Sequence, residues 1–460
     1  MRDLFFVGFL GLFFALGLRR PFLLVLVYVY IDIVSPQRVS YFLLNSIPIS
    51  AIAFVLAVLA WLLMDEKRGI RVSIRQVLMV TLLGYCGYTT LHADFPIEAF
   101  AKWEWVWKAL IFAIFLPLTL RTKLRIEALV LTMVLCASSI IITGGIKTML
   151  SGGGYGVLNL IVAENNGLYE GSTISTVAIA IIPLILWLTR FGTIFPPDGR
   201  VKWGGWALCF ACLLIPIGTE ARTGLLCIML LALLMLLHMK RRVLYGALMA
   251  FAVIVSIPFL PASFTNRMDT IENYKSDESA STRIAVWKWT WDYAKDHPGG
   301  GGFEAYLGNS LSYYSQQLEG PAASQSVERT LVVDKGRAYH SAYFEMLGEQ
   351  GYFGFVVWLL IHATSLIRTA WIWRTYKRRA DPDTAWVAPL ALALQQGHLI
   401  YLLGAMFIGI AYQPFIFMLL ALQIGLHTYL VGQRQAENQH GLNPWRSPSR
   451  IQSRKPAPVS

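Results

Sequence analysis

Apolar stretches of roughly 20 residues recur along nearly the whole chain, and a run of that length is what one helix needs to cross a hydrocarbon layer. They fall at 43–64, 76–93, 101–120, 126–146, 172–192, 203–218, 221–239, 242–262, 342–372, 386–410 and 413–432. Ahead of them, Leu4 to Leu18 has the length of a signal peptide. Arg19 and Arg20 follow it where small residues would mark a cleavage site, so the segment is read as retained. Gly17 and Pro21 interrupt the first segment, so Phe5 to Tyr30 forms two short helices or one broken span. Hydrophobic residues make up 56% of the chain, against roughly 45–50% in soluble domains. The expected class is an all-α polytopic membrane protein with about 12 transmembrane helices.

A net charge of +12 could serve nucleic acid, but its placement excludes that partner. The basic groups Lys67-Arg68-Arg71-Arg75, Arg121-Lys123-Arg125, Arg190-Arg200-Lys202, Lys240-Arg241-Arg242 and Arg374-Lys377-Arg378-Arg379 all occupy short connections between apolar runs. Such connections face the cytoplasm, which with this parity puts both termini there as well. Trp103, Trp105 and Trp107 then sit at the outer end of their span, where interfacial aromatics belong. The five cysteines lie in or beside apolar runs, including the Cys209-x-x-Cys212 pair, and read as small apolar fillers.

The runs divide the chain into a transmembrane bundle (1–261), a large helical loop domain on the outer face (262–341), further spans (342–432) and a disordered basic tail (433–460) that lies near anionic lipid headgroups. The loop far exceeds an ordinary connection and is rich in tryptophan and tyrosine, which argues for an ordered domain at the membrane surface.

Four clusters carry chemistry. Gly218-Thr219-Glu220-Ala221-Arg222-Thr223-Gly224 divides two apolar runs as a tight outer turn. It sets Arg222 in the first turn of a helix, where a cation is unfavourable unless an anionic partner joins it. A Glu220–Arg222 surface pair explains the turn equally well. In Ser281 to Trp291, Ser281 is a plausible N-cap, and Arg283, Trp287 and Trp291 form one helical stripe suited to a membrane interface. His297-Pro298 followed by Gly299 to Gly302 permits a close backbone approach or a sharp turn, without the pattern of a nucleotide loop. In Arg337 to Gly351, His340 lies where the loop returns to the membrane. An imidazole there could act as general base, its neutral form favoured by nearby arginines. A purely structural histidine is the alternative. Gln395, Gln396 and His398 form a polar patch inside an apolar run, either lining a substrate path or bonding between helices. No metal-ligand spacing occurs in the sequence.

Together these clusters resemble the O-antigen ligase and polymerase superfamily of bacterial envelope glycosyltransferases. The resemblance covers about Asn165 to Gly354 and rests on three segments. Thr219 to Gly224 is similar to the family's Ser-x-Ser-Arg-small-Gly turn, with Thr219 and Ala221 in place of the serines. Arg283 with Trp287, then His297-Pro298 and the glycines, resembles its arginine-tryptophan-His-Pro-Gly stretch. His340 to Glu345, with Gly351 and Gly354, resembles its His-Asn-x-Tyr-Leu-Glu segment, with Ser341 in place of asparagine. Asn166-Gly167 is similar to the asparagine opening an earlier span.

The resemblance implies a GT-C-like bundle in a bacterial inner membrane with its active site on the periplasmic face. It implies an inverting transfer, without metal or cofactor, of glycan from undecaprenyl pyrophosphate to a sugar hydroxyl of lipid A–core. By position, His340 would deprotonate the acceptor while Arg222 and Arg283 hold the pyrophosphate. Glu220, Asn166, Trp287, Arg337 and Tyr343 are further candidates for substrate contact. Glycan polymerases and protein O-glycosylation ligases share the same skeleton. From another class, a lipid-linked glycan transporter would also use outer arginines and a broken first helix, but should need charges within the membrane.

Overall fold

A computed structural model describes residues 2–40, 42–44, 47–67, 70–151, 167–256, 278–319, 326–379 and 381–441. The described residues are predominantly helical, as the period of the apolar runs requires. Six helices are long and apolar enough to cross a membrane unaided: α7 (Lys123–Ser151), α8 (Gly171–Phe191), α9 (Gly199–Gly218), α13 (Ala342–Lys377), α14 with its preceding turn (α14 itself Val387–Ala405) and α15 (Pro414–Gly441). The shorter apolar helices α2 (Phe22–Val34), α4 (Ile49–Met64) and α10 (Arg222–Leu236) pack among them. Thus only half of the expected dozen qualify by length and hydropathy alone. Of the others, α6 (Pro96–Thr119) carries Glu98, Lys102, Glu104 and Lys108.

The first segment is a folded-back pair rather than one broken span. Helix α1 (Arg2–Arg19) ends at the Arg20-Pro21 turn, where proline cannot continue the helix, and α2 returns along it. Phe9 meets Tyr30 at 5.1 Å between ring centroids, and Asp3 Oδ2 accepts from the backbone N–H of Phe42 and Leu43 at 2.9 and 3.2 Å. The turn lies beside Phe22, whose ring sits under the Arg125 guanidinium at 5.2 Å, and Arg125 is paired with Asp65 at 2.6 Å. Both latter residues belong to the basic connections. The N-terminus therefore lies on the face opposite those connections. The C-terminal helix ends among them, where Arg434 covers the Trp371 and Tyr376 rings. The first segment thus holds two antiparallel helices where the expected count took one broken span. Helix α15 also continues to Gly441, past the boundary expected at 432; residues 442–460 lie outside the described residues.

Helices α8 and α15 form the centre of the bundle and are almost wholly buried over residues 173–185 and 415–426. Polar groups there are tied between helices. His362 Nδ1 (α13) meets His398 Nε2 (α14) at 2.7 Å, and His398 Nδ1 meets Gln423 Nε2 (α15) at 3.2 Å. Interhelical bonding, not a substrate path, therefore accounts for His398.

The loop domain is not all helical. It holds α12 (Glu278–Asp296), a 3-10 turn at Ala305–Gly308 and an antiparallel hairpin of β1 (Ser310–Glu319) and β2 (Ser326–Lys335), with Ser310 opposite Lys335 and Glu319 opposite Ser326. It docks on the membrane helices through the glycine tract. Helix α13 kinks at Gly351, whose φ of 58° and ψ of −165° suit glycine alone, and the kink frees backbone groups. The tract fills them: Gly301 and Gly302 N–H donate to the carbonyls of Gly348 and Glu349, and Tyr352 N–H donates to Pro298 O, each at 3.0 Å. A Cβ on Gly300 would lie 2.5 Å from Glu349 O, so two backbones meet here with no room for side chains.

Candidate active site

Where the loop domain meets the membrane helices lies a cavity of about 1400 Å³, larger than the roughly 300–1,000 Å³ that holds one drug-sized ligand. Four sequence-predicted residues, His340, Arg222, Arg283 and Glu220, line it together. They come from three separate stretches, and local packing explains how each arrives.

The turn after α9 is tight because Glu220 N–H donates to Ile217 O and Ala221 N–H to Pro216 O, both at 3.1 Å. Thr219 Oγ1 bonds back to Ile215 O at 2.8 Å and meets Ser175 Oγ of α8 at 2.7 Å. A Cβ at Gly224 would lie 2.7 Å from the Pro216 ring, so only glycine lets α10 leave the turn against the end of α9. Arg222 then opens α10 half-buried, in a first turn whose N-cap, Ala221, supplies no side-chain oxygen. Uncapped N–H groups and a guanidinium share one wall of the cavity.

Arg283 reaches the cavity from α12. That helix is pinned by Val286 and Thr290, both fully buried, rather than lying flat in the interface. Trp287 does not line the cavity. Its ring stacks on Phe344 (5.1 Å, 8°), and its indole N–H donates to Tyr339 O at 2.9 Å. It therefore grips the carbonyl immediately before His340. His340 itself has φ of 47° and lines the cavity, where surrounding groups partly desolvate its ring. That partial burial, then Arg283 and Arg337, lowers its pKa below the ordinary imidazole value, with Glu170 opposing them. The shift favours the neutral ring, the form that can take a proton.

Arg337 and Tyr343 do not line the cavity. Arg337 pairs with Asp334 at 2.7 Å, and its backbone is clasped by the Asn309 side chain. The Tyr343 hydroxyl donates to Leu402 O at 3.3 Å. Asn166 lies outside the described residues, although its neighbour Gly167 is at the cavity.

Sequence reasoning missed several lining groups. Glu170 caps α8, accepting from Ser172 and Thr173 N–H at 3.0 and 2.6 Å, and adds a carboxylate near His340. Lys102, inside an apolar run, ion-pairs with Glu304, Glu345 and Glu349 at 3.3, 2.7 and 2.8 Å, which locks α6, the loop domain and α13 together. An intramembrane lysine is by itself a signal of such a role. A further signature is backbone strain. Among the described residues, every non-glycine residue with positive φ (Ser35, Glu220, Glu304 and His340) lines this one cavity. Each such conformation costs roughly 1–3 kcal/mol and survives only where surrounding contacts enforce it, which marks the cavity as the functional centre.

Residues 1–193 match a family of unknown function, DUF5935, and residues 207–359 match the O-antigen ligase family. No curated protein matches the chain significantly. The ligase match spans Arg222, Arg283 and His340, so this third of the chain is similar to the O-antigen ligase family, and the apolar helices around it make the chain a polytopic membrane protein.

Proposed function

We propose that the protein is an O-antigen ligase that moves a glycan from undecaprenyl pyrophosphate onto a sugar hydroxyl of lipid A–core, at the periplasmic face of the inner membrane. The observation that carries this reading is one cavity lined by a histidine and two arginines from three distant segments, beside the membrane helices. His340 takes the proton of the acceptor hydroxyl as its oxygen attacks the anomeric carbon. The bond from that carbon to the pyrophosphate oxygen breaks, and undecaprenyl pyrophosphate leaves as an anion. Arg222 and Arg283 stabilise the charge that develops on it, aided by the N–H groups opening α10. Attack opposite the leaving group inverts the anomeric centre. The lipid-linked donor explains why the site lies where the loop meets the membrane helices rather than out on the loop.

Supplying purified protein with undecaprenyl-pyrophosphate glycan and lipid A–core tests this. His340→Ala should lower transfer by at least about a hundredfold, the usual range for a general base. Arg222→Ala with Arg283→Ala should abolish donor use. Wild-type rates in either variant would refute the assignment. Glycan joined only end to end, or only to protein, would place the chain with the polymerases or the protein ligases instead.

A further inference from the structure

The donor machinery occupies only part of the cavity. One further part of the wall comes from α2, the turn after it and α6, including Asp32, Gln37, Arg38, Glu98, Trp105 and Lys108. None of these residues falls within the O-antigen ligase match, and all fall within the segment matching a family of unknown function. Their chemistry differs from that of the wall bearing Arg222 and Arg283. Asp32 Oδ2 and Gln37 Oε1 are buried acceptor oxygens without a hydrogen-bond partner among the described residues. The Tyr28 hydroxyl and the Lys108 cation lie near Asp32, but a buried acceptor left unmade is costly, and a hydroxyl-bearing ligand in the cavity would supply the donors that these two oxygens lack. Trp105 is 41% exposed and lines the same cavity as those acceptors. Acceptor oxygens and an aromatic ring in one cavity match a ligand that carries many hydroxyls around an apolar ring face, which is a sugar. A fully ionised pyrophosphate has no proton to donate to these two oxygens.

We propose that this wall, built by the first 193 residues, is the binding site for the acceptor sugar. Asp32 and Gln37 accept hydrogen bonds from its hydroxyls, Trp105 stacks on its ring, and the site turns one free hydroxyl towards His340. This rests on the transferase reading above and goes beyond it by dividing the cavity between its two substrates. The division fits the cavity's size, since 1400 Å³ exceeds what either reacting end needs alone. It also assigns work to the two matched segments: the ligase segment holds the donor and the base, and the N-terminal segment selects what receives the glycan.

Steady-state kinetics of the full-length protein in nanodiscs, with undecaprenyl-pyrophosphate glycan as donor and lipid A–core as acceptor, tests the division. Asp32→Asn and Trp105→Ala should each raise the acceptor KM about tenfold, the size expected for losing a charge-assisted hydrogen bond or an aromatic contact. The donor KM should stay within about twofold. Trp105→Phe should recover most of the loss, which a variant that merely unfolded α6 would not show. An unchanged acceptor KM in both variants, with active wild type, overturns the inference. A rise confined to the donor KM also overturns it, by giving this wall to the donor glycan. Wild type that transfers nothing to lipid A–core but glycosylates a serine peptide would instead refute the ligase reading, so the two failures are told apart.

Discussion

Replacing Trp287 by phenylalanine separates the positioning of His340 from the packing around it. The phenyl ring can keep the stack on Phe344, but it has no N–H for Tyr339 O. That hydrogen bond contributes about 1 kcal/mol. It acts on the peptide preceding His340, whose left-handed backbone costs about 1–2 kcal/mol. The two are similar in size, so removing the bond lets much of the population relax away from the active geometry. A loss of about 1 kcal/mol corresponds to roughly a fivefold fall in kcat. The same loss spread over a chain of 460 residues should lower Tm by only about 1 °C. Transfer at saturating donor and acceptor gives kcat, and tryptophan fluorescence during heating gives Tm. If kcat holds at the wild-type level, the Tyr339 carbonyl does not set the histidine and the reasoning fails. If Tm falls as far as in Trp287→Ala, the tryptophan matters only for packing.

Other consequences follow from the same geometry. Because burial and Arg283 lower the His340 pKa, its base form persists to lower pH, so the acid limb of kcat/KM should lie below the ordinary histidine value of about 6.5. Glu170 is the charge that raises that pKa, so Glu170→Gln should move the limb to still lower pH; movement upward would refute the electrostatic account. Gly351→Ala should destabilise the protein by more than about 3 kcal/mol, since φ of 58° and the contact with Pro298 O both oppose a Cβ, and an unchanged Tm would show that the glycine tract is not the clamp. The folded-back first pair predicts opposite sides for the two ends. With the five native cysteines buried, Leu4→Cys should react with an impermeant maleimide in intact spheroplasts, and Gln435→Cys only after lysis. Labelling of both from one side would refute the hairpin.

The helical bundle was legible because its signal is one-dimensional: an apolar run reports a span without knowledge of its neighbours. The three site motifs were legible for a related reason, as Arg222, Arg283 and His340 each stand where an apolar run or a glycine-marked turn ends. What remained hidden depends on pairing across the chain. The sequence does not show that Lys102 meets three glutamates from 202 or more residues further on, or that Trp287 turns inward while Trp291 stays exposed on the same stripe. The hairpin at 310–335 was missed because its strands carry too little apolar periodicity beside the surrounding spans. The direction of α1 was missed because Gly17 and Pro21 announce a break but not the angle across it.

The placing of the strained residues explains why such a cavity forms at the surface rather than inside the bundle. Ser35 ends α2, Glu220 follows the end of α9, and His340 lies just before α13, so three of the four left-handed residues sit where a membrane helix stops and the chain must reverse sharply. A helix end leaves backbone groups without intrahelical partners, and a sharp reversal turns them inward together. Strain and unsatisfied polarity therefore arise at the same points for the same reason. Neither would persist in an isolated helix. Each is held by a neighbour from another part of the chain: the Val34 carbonyl before Ser35 by the Tyr169 hydroxyl, the Tyr339 carbonyl before His340 by Trp287, the turn before Glu220 by Ser175, and the fourth strained residue, Glu304, by Lys102 through its side chain and Glu349 through its backbone. The loop domain, the N-terminal helices and the C-terminal helices must all be in place before the cavity exists. Its polar groups are then fixed ahead of any substrate, which is the condition under which they can stabilise a charge that develops only during reaction.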